Sequence, residues 1–384
     1  MFNFKQYDWK RYNISLVIVV IVLCIISAFI VRLAGGEADG ASFFKRQLFG
    51  LIFGLFIIAF VSILDYHFIC RFVIFYYIVG TILVAATRFT PLGTDLGTNS
   101  WRWLDLGFMN LQPSELCKII LILTLAVFFT NTREKMDKFS TLFIGVFIMA
   151  IPTAFILMHS NLSSALVMMF IFAMMVFAAG ISYKIILPIF LIGAPISVAL
   201  FWYIQQPYQK LLTKYQAGRI LGFLNPEENA SGIMYQQNHS VDAIGSGRVY
   251  GKLILENTGV RNYNYVDVRE SDFIFSVIGE ELGFIGSCFI IGLLVIIIVK
   301  CFLTARKAKD YTGMLIAIGI ASMLMFQVFA NVGVATRILP NTGLPLPFLS
   351  YGLSSMLSSM ISIGLVINVG LQSSKNSYGG YAAR

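Results

Sequence analysis

The chain has 384 residues, 58% of them hydrophobic and 12% charged, and a mean hydropathy of +0.79. That composition excludes an ordinary soluble globular protein and implies an integral membrane protein. A net charge of +9 raises the question of nucleic acid, but the Lys and Arg residues cluster in short connections between apolar runs, so membrane topology accounts for them and no nucleic-acid partner is expected.

Ten segments contain the roughly 20 mainly apolar residues needed to cross a hydrocarbon core, at 14–33, 48–64, 69–87, 113–130, 140–159, 161–180, 184–204, 273–299, 312–332 and 351–371. They lack the alternation of a membrane barrel, and in lipid each must satisfy its own backbone hydrogen bonds. The expected fold is therefore an all-α integral membrane protein, one domain over 1–384 with ten transmembrane helices. The first run is too long for the apolar region of a signal peptide and is expected to remain as a span. With a cytoplasmic N-terminus, fourteen Lys and Arg residues fall on the inner side and six in the short outer loops, which puts both termini in the cytoplasm.

Residues 205–272, between the seventh and eighth helices, then form a large extracellular loop. It is apolar and aromatic throughout ("YQKLLTKYQAGRILGFLNP", "GKLILENTGV"), unlike a disordered linker. Its start, 205–221, is expected to lie on the outer membrane face as an amphipathic helix, with Leu211, Leu212, Tyr215 and Ile220 alternating with Lys210, Lys214 and Arg219. Five cysteines without recurring spacing and three distant histidines suggest neither a disulfide framework nor a zinc site.

Four stretches combine polar chemistry with membrane depth. In "SWRWLDLGFMNLQPSELCK" (100–118), Pro113 and Glu115 suit the first turn of a helix. Lys118, three positions beyond Glu115, shares its face and is either paired or functional. Trp101 and Trp103 suit either interfacial anchoring or stacking on a sugar. In "YQQNHSVDAIGSGRVYGK" (235–252), Gly245, Gly247 and Gly251 have the spacing of either a phosphate cradle or a tight turn.

"RESDFIFSVIGEELGFIG" (269–286) places Asp272 where the long loop re-enters the membrane, as a helix cap, a catalytic acid or both. Glu280 lies about 80° from Asp272 around a helix and is expected to look toward the same cavity, whereas Glu281 points away. Lys118 is the obvious cation for the two glutamates. "RILPNTGLPLPFLSYGLSSMLSSM" (337–360) sets three prolines, Pro345 among them, at a membrane boundary, where irregular backbone must line a cavity or be buried in protein.

The pieces "RWLDLGFMNLQPSELCK", "YQQNHSVDAIGSG", "SDFIFSVIGEELGFIG" and "LPNTGLPLPFLSYG" resemble, in order and spacing, the SEDS family of peptidoglycan glycosyltransferases (RodA/FtsW/SpoVE type), and the resemblance covers essentially the whole chain. It implies polymerisation of lipid II into glycan strands on the outer face of the bacterial cytoplasmic membrane, by inverting transfer with release of undecaprenyl pyrophosphate. Asp272 matches the family's essential aspartate and takes the role of general base. By the same matching Arg102, Trp103, Lys118, Arg219 and Gln236 are expected to bind substrate, and Glu115, Glu280, Glu281 and Pro345 to support the site.

The family also implies a class B penicillin-binding protein as partner and a divalent cation, Mg²⁺ or Mn²⁺, without identifying its ligands. The chain departs from the family pattern at several points. "HSNLSS" (159–164) places Asn161 where an acid is usual, Asp267 and Val268 replace a Pro-Glu pair, Leu353 replaces the second residue of a glycine pair, and Arg248 and Leu253 replace glycines. The start "YDW" (7–9) and the short N-terminus resemble the RodA branch more than the FtsW branch.

Two other readings use the same residues. A transporter of a lipid-linked substrate would use Lys118, Glu280 and Glu281 and the proline-broken segment, but the second interrupted helix expected of a transporter repeat is missing from the sequence. A catalytically silent scaffold would explain the departures, yet Asp272 is retained.

Overall fold

The computed structural model describes residues 7–94, 101–105, 107, 110–159, 161–206, 208–211, 214–225, 234–255 and 260–372. It is a helical bundle whose α-helices are α1 (Ile14–Ile63), α2 (Tyr66–Arg71), α3 (Val73–Phe89), α4 (Pro113–Asn131), α5 (Phe139–Met158), α6 (Leu162–Ala178), α7 (Tyr183–Ile204), α8 (Lys214–Leu224), α9 (Tyr235–Ser246), α10 (Ile274–Arg306), α11 (Tyr311–Ala335) and α12 (Leu353–Leu371). Among the described residues seven of these, α1, α4, α5, α7, α10, α11 and α12, are long and apolar enough to cross a membrane, and α3 and α6 are shorter apolar helices. The chain is a multi-pass membrane protein.

Helices α4, α11 and α12 supply the interior, where Leu125, Ile316, Leu315 and Val366 are fully buried. α11 packs against α10, α6 and α4, and α1 runs along α12 and α10. Apolar residues such as Ile52, Phe56, Ile74 and Phe177 stay exposed on the outside of the bundle, as lipid-facing positions must. α7 has apolar residues exposed along most of its length and contains Pro188 and Pro195.

Several sequence expectations need correction. The first two apolar runs are not joined by a loop over 34–47. α1 continues through that stretch as helix and reverses at Gly36, whose φ of 61° is open only to glycine at little cost. The all-α expectation omits a small antiparallel sheet of β1 (Gly93–Thr94), β2 (Trp103–Asp105) and β3 (Asn110–Leu111) between α3 and α4. The amphipathic helix expected over 205–221 is instead α8, and Tyr208 to Leu211 are not helical. Leu212 and the side chains of Lys214 and Tyr215 lie outside the described residues.

α10 extends to Arg306, beyond the expected end at Val299, and breaks at Gly283 (φ 66°). A break leaves backbone groups without intrahelical partners, which is costly away from water. The segment 248–253 supplies them. The Lys252 and Leu253 amides donate to the Glu280 and Glu281 carbonyls at 2.9 and 3.1 Å, while the Phe284 and Ile285 amides donate to the Arg248 and Val249 carbonyls at 2.9 and 3.2 Å.

This docking explains Gly247 and Gly251. A Cβ on Gly247 or Gly251 would collide with the backbone of Gly279 to Leu282. The spacing that resembles a phosphate cradle is a helix-to-loop contact. Arg248 stands at a position where the family resemblance expects glycine, and its φ is 51°. A non-glycine residue in that region costs about 1–3 kcal/mol.

Two substitutions of opposite sign test this docking. Arg248→Gly is expected to raise the thermal unfolding temperature of the purified protein by relieving that strain. Gly251→Ala is expected to lower it, because Gly251 combines a φ of 81° with contact against the α10 backbone.

Candidate active site

Asp272 sits in the turn immediately before α10, half-buried. Its position is fixed mainly through backbone. The Asp272 amide donates to the Val268 carbonyl at 3.1 Å, and its carbonyl accepts from Asn331 Nδ2 of α11 at 2.8 Å. Val268 holds a φ of 55°, the strained element of the turn. The carboxylate is left for chemistry: Ser271 Oγ donates to Oδ1 at 2.9 Å, and Oδ2 lies where a Cβ on Gly343 would stand 3.0 Å away. Gly343, with φ 69°, therefore serves both the backbone turn and the approach to Asp272.

Two guanidiniums, Arg102 before β2 and Arg219 of α8, act on Asp272 electrostatically. Burial pushes the carboxyl above the ordinary aspartate range, while Ser271, Arg102 and Arg219 pull it down without cancelling the rise. Arg219 also donates from Nη1 to the Asn341 carbonyl at 3.3 Å. Asn341 Nδ2 donates to Gln236 Oε1 at 3.2 Å, and Gln236 Nε2 reaches Asp267 Oδ2 at 3.4 Å. Asp272, Arg219 and Gln236 thus converge on the segment 336–352.

That segment is held on every side. Asn331 Nδ2 also donates to the Leu344 carbonyl at 2.7 Å. Ser350 Oγ donates to the Ser271 carbonyl at 2.6 Å and accepts from the Leu346 amide at 2.7 Å, and Ser163 Oγ donates to the Thr342 carbonyl. Pro345, between the bonded Leu344 and Leu346, has no N–H to satisfy, which suits irregular backbone packed in protein.

Arg102 also lines a small, partly open pocket with Thr87, Pro113, Ser114, His159 and Asn161. Pro113 and Ser114 form the first turn of α4, whose N-cap Gln112 makes no side-chain capping bond. The Ser114 hydroxyl is buried without a hydrogen-bond partner. Trp103 is half-buried in β2, paired in register with Thr94.

The remaining expected residues lie elsewhere. Lys118 is 0% exposed and Glu115 1%. Lys118 Nζ donates to Glu115 Oε1 at 2.8 Å, and Ser358 Oγ of α12 donates to Oε2 at 3.1 Å. This is a sealed pair within α4, tied to α12 through Ser358. It corrects Lys118 as a substrate contact and as the cation for the two later glutamates.

Glu280 does not face a cavity shared with Asp272; its bonds are to other residues. It is fully buried and accepts from Lys252 Nζ, from the Asn262 and Tyr263 amides at 2.8 Å each, and from Ser246 Oγ at 3.1 Å. Arg261 Nε binds Glu281 at 2.7 Å. Both acids fasten residues of α9 and of the connection from α9 to α10 onto α10.

Sequence reasoning missed Asn331, Asn341 and Gly343. Asn331 had a signal, as a buried amide in an otherwise apolar span.

Comparison with known proteins decides the family. Residues 10–375 match the FtsW/RodA/SpoVE family, described as cell cycle proteins. The chain belongs to this family. Its relatives include a protein of Trichlorobacter lovleyi named probable peptidoglycan glycosyltransferase FtsW, 32% identical over 95% of this chain and 94% of that protein. Peptidoglycan glycosyltransferase MrdB of Escherichia coli K12 is 28% identical over 95% of both chains.

A chain from a peptidoglycan synthase complex, studied for the coordination of polymerization and crosslinking, superposes with a TM-score of 0.76 at 25% identity, over 97% of this chain and 99% of that one. The Thermus thermophilus rod shape determining protein RodA has the same fold, with a TM-score of 0.67 at 24% identity, over 94% of this chain and 98% of that one. Sequence identity does not favour the RodA branch, since the Trichlorobacter lovleyi FtsW protein is more similar to this chain than Escherichia coli MrdB is.

The sealed pair has a diagnostic energetic signature. Lys118→Met is expected to destabilise by about 3–5 kcal/mol, because it strands the Glu115 charge. The double variant Glu115→Leu, Lys118→Met should recover most of that loss in thermal unfolding of the purified chain.

Proposed function

We propose that this chain is a peptidoglycan glycosyltransferase that polymerises lipid II on the outer face of the bacterial cytoplasmic membrane. In this reading the polypeptide crosses ten times, with α1 contributing two crossings and both termini cytoplasmic. The observation that carries it is Asp272, held by backbone contacts at the outer end of α10 with its carboxylate beside Gly343 and within the field of Arg102 and Arg219. The family relationship and the names of the relatives supply the reaction class.

Oδ2 of Asp272 takes the proton of the acceptor sugar hydroxyl, Oδ1 being engaged by Ser271. As that oxygen attacks the donor's anomeric carbon from the face opposite the leaving group, the bond to undecaprenyl pyrophosphate breaks and the configuration inverts. Arg102 and Arg219 compensate charge on the departing pyrophosphate, while Gln236, through Asn341, keeps the segment 336–352 and Arg219 in place. Trp103 offers an aromatic face for a sugar.

Among the described residues no three of His, Cys, Asp and Glu converge as a metal site. Mg²⁺ commonly binds through one or two carboxylates together with substrate phosphates. With Asp272 committed as the base, the substrate's own phosphates would hold such an ion, which would neutralise pyrophosphate charge. The superposition on a chain of a peptidoglycan synthase complex supports a class B penicillin-binding protein as the transpeptidase partner.

Asp272→Ala is expected to cut polymerisation of labelled lipid II by about 10²–10⁴-fold, measured with partner and divalent metal present. An unchanged rate would remove Asp272 from the reaction. Lipid II crossing protein-containing vesicles without glycan formation would favour transport instead. Because the Asp272 carboxyl is held above its ordinary range, the rate should rise with pH as the group ionises. Arg219→Ala removes a charge that lowers this pKa, so it should move the midpoint of the pH profile to higher pH.

A further inference from the structure

On the side of the bundle opposite Asp272, two helix-capping aspartates meet across one imidazole. Asp65 is the N-cap of α2, its carboxylate accepting from the His67 amide at 2.9 Å. Asp310 is the N-cap of α11, accepting from the Gly313 amide at 2.7 Å. His67 lies between them, with Nδ1 2.9 Å from Asp65 Oδ1 and Nε2 2.6 Å from Asp310 Oδ2.

Both ring nitrogens therefore face carboxylate oxygens. A neutral imidazole has one N–H and one lone pair, so one of these contacts would set a lone pair against an anion. Only the imidazolium donates at both.

The junction ties several elements together. Tyr66 Oη donates to Asp310 Oδ2 at 2.8 Å, and the Tyr66 amide donates to Asn368 Oδ1 of α12 at 3.0 Å. Gln372 Nε2 donates to Asp65 Oδ1 at 3.1 Å, and Asn368 Nδ2 donates to the Ser62 carbonyl of α1 at 2.7 Å. The titratable groups around the ring are Asp65, Tyr66 and Cys70 from α2 and its cap, Asp310 from the cap of α11, and Tyr7 from the N-terminal segment, which lies near Asp65. Among the described residues the ion pairs of both aspartates are those with His67.

We infer that His67 is a protonation-dependent clasp that pins the start of α11 to α1, α2 and α12. The hydrogen bond to Asp310 and the contact with Asp65 raise the imidazole pKa against the opposing effect of burial. Burial pushes each aspartate up, but the hydrogen bonds from Gln372 and His67 to Asp65, and from His67, Gly313 and Tyr66 to Asp310, hold both below the ordinary carboxylate range.

The sign follows. A raised histidine pKa stabilises the fold fully at acidic pH below the free-histidine value, and that contribution fades as pH rises through the folded pKa. The aspartates stay ionised throughout this window. Because α11 also supplies Asn331, which holds the backbone of Asp272, the clasp sets the register of the helix that supports the candidate site. The inference about His67 does not depend on the reaction assigned to Asp272.

The chain has only three histidines, His67, His159 and His239, so its imidazoles can be followed individually. Histidine-labelled full-length protein in nanodiscs is titrated by NMR, with His67→Gln assigning the His67 signal. The expected midpoint for His67 lies above 6.5, and a midpoint at or below 6.5 overturns the clasp.

Thermal unfolding is then compared between pH 5.5 and 8.5. The parent should exceed His67→Gln by about 2 °C or more at pH 5.5, and the gap should at least halve by pH 8.5. A gap that is absent or changes less than this overturns the proposal. Asp310→Asn, which keeps a capping side chain while removing one anion, should lower the His67 midpoint; an unchanged midpoint rejects the Asp310 arm.

Discussion

The break in α10 at Gly283 is the constraint from which the candidate-site end of the protein is organised. A helix cannot open among apolar neighbours unless other groups take up its freed amides and carbonyls. Here the segment 248–253 does so from both sides of the break. The docking draws Lys252 onto Glu280, and the amides of Asn262 and Tyr263 come down on the same carboxylate. The short N-terminal arm of α10 is thereby fastened to these residues, and Asp272 stands just before it.

Charge is divided in this molecule between groups that hold the fold and groups left for chemistry. Glu115, Lys118, Glu280 and Glu281 are almost completely buried, and each has a counter-charge in contact. Unpaired burial of any of them would cost several kcal/mol. Asp272 is different. Arg102 and Arg219 act on it through the field, among the described residues it has no direct ion pair, and Ser271 bonds one of its oxygens. A carboxylate so placed retains the capacity to accept a proton.

The opposite wall of the candidate site has no regular secondary structure. Residues 340–346 are irregular, yet Asn331, Ser163 and Ser350 satisfy the Leu344 and Thr342 carbonyls and the Leu346 amide. Gly343 permits the close approach to Asp272 that any side chain would obstruct. The departures from the family pattern fall partly on strained backbone: Arg248 and Val268 both have positive φ. The Arg248 carbonyl accepts from the Phe284 amide across the break in α10.

Apolar run lengths determined from sequence that this is a helical membrane protein, because crossing lipid imposes a length and a hydrogen-bonding rule that few patterns meet. Local spacing also revealed the Glu115–Lys118 pair, since residues three apart on a helix are neighbours by geometry. The partners of Glu280 and Glu281 were beyond such reasoning. They come from Lys252 and Arg261, brought near by a helix break that helical periodicity does not anticipate. The same limit applied to Asp272: its place before a span was legible, but Asn331, Gly343 and Arg219 reach it from separate elements. Contacts between segments distant in sequence depend on how the whole bundle closes, and only the tertiary structure decided them.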